Sequence, residues 1–152
     1  MSETKTRVPA VPGLFTLEPE VALVGSRCSD CGSYFFPREQ VVCRNPRCRS
    51  SHLEACELSR AGKLWSFTSS AYKPPPPFVA PEPFEPFALA AVELEREKLV
   101  VLGQVVRGVL PEALRVGMPM QLTSEVLEES DSQVLMVWKW APSGAASIEA
   151  KR

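Results

Sequence analysis

The chain has 152 residues, of which 45% are hydrophobic and 23% charged, and its formal net charge is −1. This composition is typical of a small globular protein with a buried core, and the charge argues against non-specific nucleic-acid binding, whose affinity comes from neutralising phosphates. No stretch approaches the roughly 18 apolar residues of a membrane span, and the N-terminus has no apolar segment of the kind found in signal peptides. We therefore expect a cytoplasmic protein with reduced cysteines.

The first 25 residues are predicted to form an extended arm. Pro9, Pro12 and Pro19 each fix a backbone dihedral and remove an amide donor, which disfavours a helix. Isolated apolar residues between these prolines are typical of a segment that lies over another part of the fold. We expect residues 1–25 to cover a surface rather than to form a core of their own.

The next segment, residues 26–54, is predicted to be a zinc ribbon. It holds four of the five cysteines, in two closely spaced pairs that each lie among turn-forming residues. A tight turn points two sulfurs the same way. Two such turns, joined by a hairpin in which residues 34–36 run out and residues 40–42 run back, enclose one ion. The predicted ligands are Cys28, Cys31, Cys43 and Cys48.

Four thiolates leave no open coordination position, so the predicted ion is structural rather than catalytic. Zinc is the expected cofactor, and iron in a rubredoxin-like site, which uses the same ligands, stays open as an alternative. A disulfide pairing would require an oxidising compartment. A segment of roughly 25 residues is too small to bury a real core, so we expect the ion to supply the free energy that folds it.

Residues 55–142 are predicted to form a small barrel, which makes the fold class mainly β: a rubredoxin-like zinc ribbon followed by a five-stranded OB-fold. Alternating or aromatic-rich segments indicate strands. Because the first of them belongs to the exit from the ribbon, five remain, and closing them removes exposed edges. An SH3-like barrel or a small sandwich is the alternative, and residues 143–152 are expected to be a flexible tail. Strands are predicted at residues 53–59, 63–72, 87–95, 98–107, 118–127 and 132–140, with a helical turn at 111–116.

Residues 73–87 form a proline-rich arm between two predicted barrel strands. They hold seven of the fifteen prolines, interleaved with Phe78, Phe84 and Phe87. Long structureless loops are uncommon in compact domains unless they have a function, and a preformed polyproline segment loses little entropy when it docks. We predict that this arm contacts a partner or covers a channel, the alternative being a plain loop between strands.

No catalytic residues are predicted in this chain. Cys56 lies within an alternating segment and is interpreted as a small core residue. His52 is interpreted as a surface or hydrogen-bonded histidine, because no carboxylate or nucleophile lies near it in the sequence. The sequence contains no nucleophile elbow, phosphate loop or dinucleotide fingerprint. We therefore expect that the chain is not a catalyst by itself.

The order of these parts resembles one known family. The Cys-x2-Cys-Gly turn is followed by FPR, then by LEACELSRAGKLWSFT, FALAAVELE, GQVVRG and VGMPMQL. In this order the motifs resemble the rubredoxin-like zinc-ribbon plus OB-fold proteins, which associate with acyl-CoA and are known as domain of unknown function thirty-five. The resemblance covers roughly residues 20–142. The sequence departs from the family pattern at the second cysteine pair, which has four intervening residues, and at the proline-laden arm.

The resemblance implies a non-catalytic accessory subunit of a thiolase-fold enzyme, such as a thiolase or a retro-aldolase, that degrades an aromatic or steroid-derived acyl-CoA. It implies a hetero-oligomer of two plus two subunits in which the partner carries out the carbon–carbon chemistry. CoA or acyl-CoA would bind at the interface. Residues 87–95 and 132–140, which are apolar on both faces, are expected to meet the partner or another part of the chain. Five cations are expected to hold CoA phosphates or to contact the partner, and the alternative is that they serve only solubility. They are Arg38, Arg44, Arg47, Arg49 and Lys73.

The alternative function is a nucleic-acid-binding module, because zinc ribbons and OB-folds both bind nucleic acids. Trp65, Phe67 and Tyr72 would then provide the stacking platform. The net charge of −1 and the acidic segment at residues 128–131 argue against this alternative.

Overall fold

The computed structural model describes residues 4–78, 80 and 82–143, and within them nearly all of the regular secondary structure is β-strand. The predicted flexible tail therefore lies outside the described residues, except for Ser143. No helix in this part of the chain is long and apolar enough to cross a membrane. The strands are β1 (Thr6–Pro9), β2 (Phe15–Thr16), β3 (Ala22–Cys28), β4 (Tyr34–Phe35), β5 (Leu53–Glu57), β6 (Ala61–Ser70), β7 (Phe87–Leu94), β8 (Val100–Gln104), β9 (Pro119–Glu129) and β10 (Gln133–Pro142), with one 3₁₀ turn at Pro111–Ala113.

The larger sheet has the strand order β1-β10-β9-β6-β7-β8. A parallel bridge between Val105 and Trp140 joins the end of β8 to β10, and the amide of Val106 donates to the carbonyl of Trp140 at 3.0 Å. Strands β6 to β10 therefore close into a five-stranded barrel. The 3₁₀ turn lies between the third and fourth barrel strands, as predicted. The OB-fold prediction is confirmed.

Buried and partly exposed side chains alternate strictly along β7, which contributes one wall of the barrel core. Ala88, Ala90, Val92 and Leu94 are each 0% exposed, while the intervening residues are partly exposed. This two-residue period is what a strand with one face toward the core requires. The small alanines share the core cluster with the fully buried indole of Trp140, so large and small side chains together fill the interior.

The ribbon is a separate small sheet with β3 at its centre. Strand β3 pairs with β2, with β4 and, over the longest register, with β5. The predicted hairpin between residues 34–36 and 40–42 is wrong: Tyr34–Phe35 pairs with Ser26 and Arg27 of β3, and residues 40–42 form no strand. The seven-residue β3 offers a longer ladder than a hairpin closed across Pro37 would provide.

The N-terminal segment, predicted as an extended arm, is extended and contributes strands to both sheets. Strand β1 adds to the barrel in parallel with β10, and the amide of Ala10 donates to the carbonyl of Met136 at 2.8 Å. Strand β2 then pairs with β3 of the ribbon. The segment therefore ties the two sheets together.

Side chains also join the ribbon to the barrel. The ring of Phe36, just after β4, packs edge-on against Trp138 of β10, with 5.9 Å between centroids. The carboxylate of Glu97, between β7 and β8, is fully buried and accepts hydrogen bonds from the backbone amide and the hydroxyl of Ser59. Leu58, at the exit from the ribbon, is 3% exposed within the barrel cluster. The chain therefore has one continuous core.

Gly103 of β8 is a position where any side chain would collide with this joint. A Cβ built there would overlap the Trp138 ring and lie 3.1 Å from Cδ1 of Trp140. We expect Gly103→Ala to lower the free energy of unfolding by about 1–3 kcal/mol, as overpacking typically does. Urea denaturation measures the effect, and the double variant Gly103→Ala/Trp138→Leu should recover part of it because the smaller side chain makes room. An unchanged midpoint for the single variant would contradict the prediction.

Candidate functional site

The four predicted metal ligands come together in the structure. The sulfurs of Cys28, Cys31, Cys43 and Cys48 all lie within 4.8 Å of one another. The Cys28–Cys48 sulfurs are 3.7 Å apart and the Cys31–Cys43 sulfurs 3.6 Å apart. A tetrahedral zinc ion with bonds of about 2.3 Å to each sulfur requires sulfur–sulfur distances of about 3.8 Å. The donor set and its spacing therefore fit a closed, structural zinc site.

Two turns present the sulfurs. In the first, Gly32 adopts a positive φ of 79° and donates its amide to the carbonyl of Cys28 at 2.8 Å. In the second, the amide of Cys48 donates to the carbonyl of Asn45 at 2.9 Å, and Arg49 takes a positive φ of 56°. In both turns a residue with positive φ therefore follows the second cysteine of the pair.

The protein environment treats the four thiols differently. Hydrogen bonding with the side chain and backbone of Ser33 lowers the pKa of Cys31 to about 6, whereas burial raises the pKa of Cys43 above its ordinary value. Cys28 and Cys43 are 0% and 2% exposed, while Cys31 is exposed. A bound cation favours the thiolate form of every ligand. An ion at this site would therefore stabilise the Cys43 thiolate, which burial alone disfavours.

His52 lies beside the metal centre and has an acidic partner that the sequence did not place near it. Its Nδ1 is 2.8 Å from Oδ2 of Asp30, and the hydroxyl of Ser50 donates to the same oxygen. These bonds, first from Ser50 and then from His52, lower the pKa of Asp30. The histidine side chain is 71% exposed. The cluster of Asp30, Ser50 and His52 links the two cysteine turns. These contacts agree with the interpretation of His52 as a hydrogen-bonded surface histidine.

The five predicted cations do not form one cluster of equivalent charges. Arg44 is paired with Glu39, and Lys73, on the proline-rich arm, is paired with Glu82. Within the described residues, no carboxylate lies within ion-pair distance of the other three guanidinium groups, all exposed on the ribbon: those of Arg38, Arg47 and Arg49.

The three predicted arm phenylalanines meet in one aromatic cluster. Phe78 stacks on Phe87 with 5.4 Å between centroids, and Phe84 packs edge-on against Phe87 at 6.2 Å. The cluster forms one wall of a cavity of about 640 Å³, here called the arm groove, between the proline-rich arm and the outer face of the barrel. Other walls come from the N-terminal segment, from the residues around β8 and from β9 and β10. They include Val11, Leu14, Leu102, Val109, Val126 and Trp138.

The two cations that line the arm groove, Arg107 and Lys139, are each paired with a carboxylate. Arg107 donates to Oε2 of Glu85 on the arm at 2.8 Å, and this bond raises the pKa of the guanidinium. The ammonium of Lys139 lies 2.8 Å from Oε1 of Glu125, whose other oxygen accepts the backbone amide of Arg107 at 3.0 Å. The groove therefore carries cations whose charge is already balanced.

Comparison with known proteins assigns both parts of the chain. Residues 18–54 match the family described as the rubredoxin-like zinc ribbon domain of ChsH2, and residues 55–125 match the C-terminal OB-fold domain of ChsH2. A DUF35 domain-containing scaffold protein of Methanothermobacter thermautotrophicus is 32% identical over 115 residues, which cover 74% of this chain and 80% of the relative. The chain belongs to the DUF35 family.

Two further relatives of this DUF35 protein extend the comparison. A DUF35 domain-containing scaffold protein of Methanocaldococcus jannaschii is 29% identical over 132 residues, covering 83% of this chain and 85% of the relative. A solved structure of an Ltp2-ChsH2(DUF35) aldolase is similar to the fold with a TM-score of 0.58 and 27% identity, covering 80% of this chain and 85% of that chain.

Several residues that shape the DUF35 chain's groove were not predicted as site residues. Val11 and Leu14 reach it from the N-terminal segment, and Arg107 and Lys139 from the barrel. The sequence signals were Gly103, whose missing side chain leaves room for Trp138, and the apolar residues on both faces of residues 132–140. Residues this far apart in the chain are brought together only when the barrel closes.

Proposed function

We propose that the chain is a non-catalytic accessory subunit of a thiolase-fold acyl-CoA enzyme, a thiolase or a retro-aldolase, acting in the cytoplasm on an aromatic or steroid-derived acyl-CoA. The observation that carries the proposal is the similarity over most of the chain to the DUF35 component of an Ltp2-ChsH2(DUF35) aldolase. The relatives described as scaffold proteins support a role in assembly rather than in chemistry.

The exposed apolar surface also supports an accessory role. Leu102 is 63% exposed and Val126 53% exposed at the arm groove, and Val41 is 75% exposed on the ribbon. Exposed apolar patches of this kind mark surfaces that bind other molecules. In the proposed complex the ribbon, held rigid by its metal, is a docking block, and the barrel helps to frame the acyl-CoA site.

The proposed division of labour assigns the nucleophile to the partner subunit. The chain would contribute shape, apolar surface and positive charge. Arg38, Arg47 and Arg49 are the cations best placed to meet the CoA phosphates or an acidic surface of the partner, because their charge is not already balanced by a carboxylate in the described part of the chain. Arg44 and Lys73 would first have to leave Glu39 and Glu82.

Co-expression tests the assembly. A tagged form of this chain should co-purify with a thiolase-fold protein encoded beside it, as a complex of two plus two subunits by light scattering. The partner's carbon–carbon bond cleavage should fall when this chain is omitted. A stable monomer that neither binds such a partner nor changes its activity would end the proposal.

One observation supports the alternative function, nucleic-acid binding. Trp65 and Tyr72 are 61% and 75% exposed, whereas Phe67 is half-buried, so two of the three predicted aromatics are accessible for stacking. Filter binding of single-stranded DNA and RNA at several salt concentrations decides the matter. Tight binding with a steep salt dependence would favour this second function.

A further inference from the structure

Strand β6 has two strand partners at its start and one at its end. Residues 62–63 pair with both β7 and β9. A register shift follows between Leu64 and Ser66, and beyond it the pairing with β7 continues to Ser70. Within the described part of the chain, no strand and no backbone hydrogen bond lies on the opposite side of residues 66–70, here called the β6 edge. Alternate residues of this edge therefore present their amide and carbonyl groups to solvent.

The β6 edge lacks the charges and prolines that commonly keep exposed strand edges apart. Its sequence is SFTSS, which contains neither. The side chains of Ser66, Thr68 and Ser69 are exposed, whereas Phe67 is half-buried and packs against the core cluster. Two identical copies of this edge can therefore meet without like-charge repulsion.

Two other exposed edges of the larger sheet are protected. The outermost strand, β1, contains Arg7 and Pro9. The second half of β9, which has only β10 as a strand partner among the described residues, contains Glu128 and Glu129. Charges and prolines of this kind discourage the addition of a further strand. Of these three edges, the β6 edge is the one open to pairing.

Two exposed aromatic side chains flank the β6 edge. Trp65 precedes it and is 61% exposed, and Tyr72 follows it and is 75% exposed. In an antiparallel pair of β6 strands centred on Thr68, residue 65 of each copy lies opposite residue 71 of the other. Each indole then comes next to Tyr72 of the second copy, and the two-fold axis repeats this contact at the other end. Aromatic contacts between neighbouring strands stabilise their pairing.

We propose that two copies of this chain associate through the β6 edge, in an antiparallel pair of β6 strands related by a two-fold axis near Thr68. The pairing joins the two larger sheets into one continuous sheet and covers Trp65 and Tyr72. Residues 65–72 are not among those that line the arm groove, and they lie outside the ribbon. The inference therefore does not rest on the proposed function.

Sedimentation of the full-length, zinc-loaded chain tests the association without any other protein. One short pair of strands is expected to bind weakly, so the chain is measured from about 1 µM to about 1 mM, which covers weak association. We expect a monomer at the lowest concentration, a dimer at the highest and no larger species, because a two-fold contact closes on itself.

Charge exchange at Thr68 locates the contact. Thr68→Lys and Thr68→Glu each place like charges opposite one another across the two-fold axis, and we expect either change to weaken dimerisation about fivefold or more. An equimolar mixture of the two variants should recover the dimer, because a lysine then lies opposite a glutamate. Ser132→Lys is the matched control, since it adds the same charge at an exposed residue between β9 and β10, and it should dimerise like the unmodified chain.

Hydrogen exchange identifies the strand itself. The amides of the β6 edge that face away from β7 should exchange freely in the monomer and become protected at concentrations where the dimer forms. The amides that donate to β7 should be protected in both states. A dimer that leaves the exchange of residues 66–70 unchanged would place the contact elsewhere and overturn the inference.

The remaining outcomes separate this inference from the proposed function. A chain that stays monomeric up to the highest concentration would overturn the edge contact and leave the accessory role standing. Equal weakening by Thr68→Lys and Ser132→Lys, or a mixture of the two Thr68 variants that stays monomeric, would also overturn it. Dimerisation with the expected charge dependence, by a chain that binds no thiolase-fold protein, would support the edge contact and refute the accessory role.

Discussion

Removal of zinc is expected to unfold the ribbon and to leave the barrel strands largely protected. Structural zinc supplies an apparent folding free energy of about 10–16 kcal/mol, which is comparable to or larger than the roughly 5–15 kcal/mol that stabilises a whole domain. The ribbon sheet has only two strands longer than two residues, β3 and β5. Such a segment cannot stay folded on its own apolar contacts.

Metal analysis and hydrogen exchange together measure this effect. The purified chain should contain about one zinc ion, in the closed four-sulfur site, and chelation should remove amide protection from β3 and β5 before that of β7 and β10. Cys43→Ser should have the same effect, because Cys43 is 2% exposed and one of the four clustered sulfurs. Cys56→Ser is the matched control, since Cys56 lies outside the cluster, and it should keep its metal.

Other results would contradict the zinc assignment. A coloured protein containing iron would replace zinc with the rubredoxin-like alternative while keeping the ligands. Retention of full amide protection in a metal-free Cys43→Ser chain would show that the ribbon folds without an ion. Both outcomes are visible without any activity measurement.

Trp140→Ala is expected to be the most destabilising change in the barrel. Trp140 is 0% exposed, belongs to the main core cluster and forms the backbone bridge with Val105 that closes the barrel. Truncation of a buried tryptophan typically costs about 3–5 kcal/mol through lost burial and the cavity that remains. A loss of this size would leave a small domain marginally folded.

Trp140→Phe separates the packing of the ring from its polar atom. The indole Nε1 is buried and has no hydrogen-bond partner within the described residues. An unsatisfied buried donor costs about 1–3 kcal/mol, so phenylalanine removes that penalty while it loses part of the ring volume. We expect the net change to be less than about 1.5 kcal/mol, as for other swaps that nearly conserve volume.

Chemical denaturation of both Trp140 variants measures these differences. The alanine variant should shift the urea midpoint strongly, and the phenylalanine variant only slightly. Equal losses from both would contradict the prediction, because the retained phenyl ring would then contribute nothing to stability.

The metal centre was predictable because its geometry is mostly local. Cys28 and Cys31 lie in one turn and Cys43 and Cys48 in another, so sequence spacing alone positions each pair. The barrel strands were predictable for a similar reason, because the alternation along β9 and the apolar run of β7 are each visible in a single segment. Element order favoured an OB-fold and left an SH3-like barrel or a small sandwich as alternatives.

The pairing inside the ribbon was not predictable in the same way. Residues 40–42 have strand-forming valines, yet they form no strand, because β3 takes its long partner from β5, beyond the second cysteine pair. Strand β1 was also missed, since a four-residue parallel strand is stabilised by β10 at the other end of the chain. Choices between competing partners depend on the whole fold.

The sequence by itself determined which four cysteines cluster, the β-class and the order of ribbon, barrel and proline-rich arm, because turn spacing and alternation are short-range properties. Only the tertiary structure decided where the arm lies, which cations are balanced by carboxylates and that a cavity opens between arm and barrel. The physical reason is that Phe78, Val11 and Trp138 come together only after β8 and β10 have closed the barrel and β1 has joined it. Spacing along the chain carries no information about that closure.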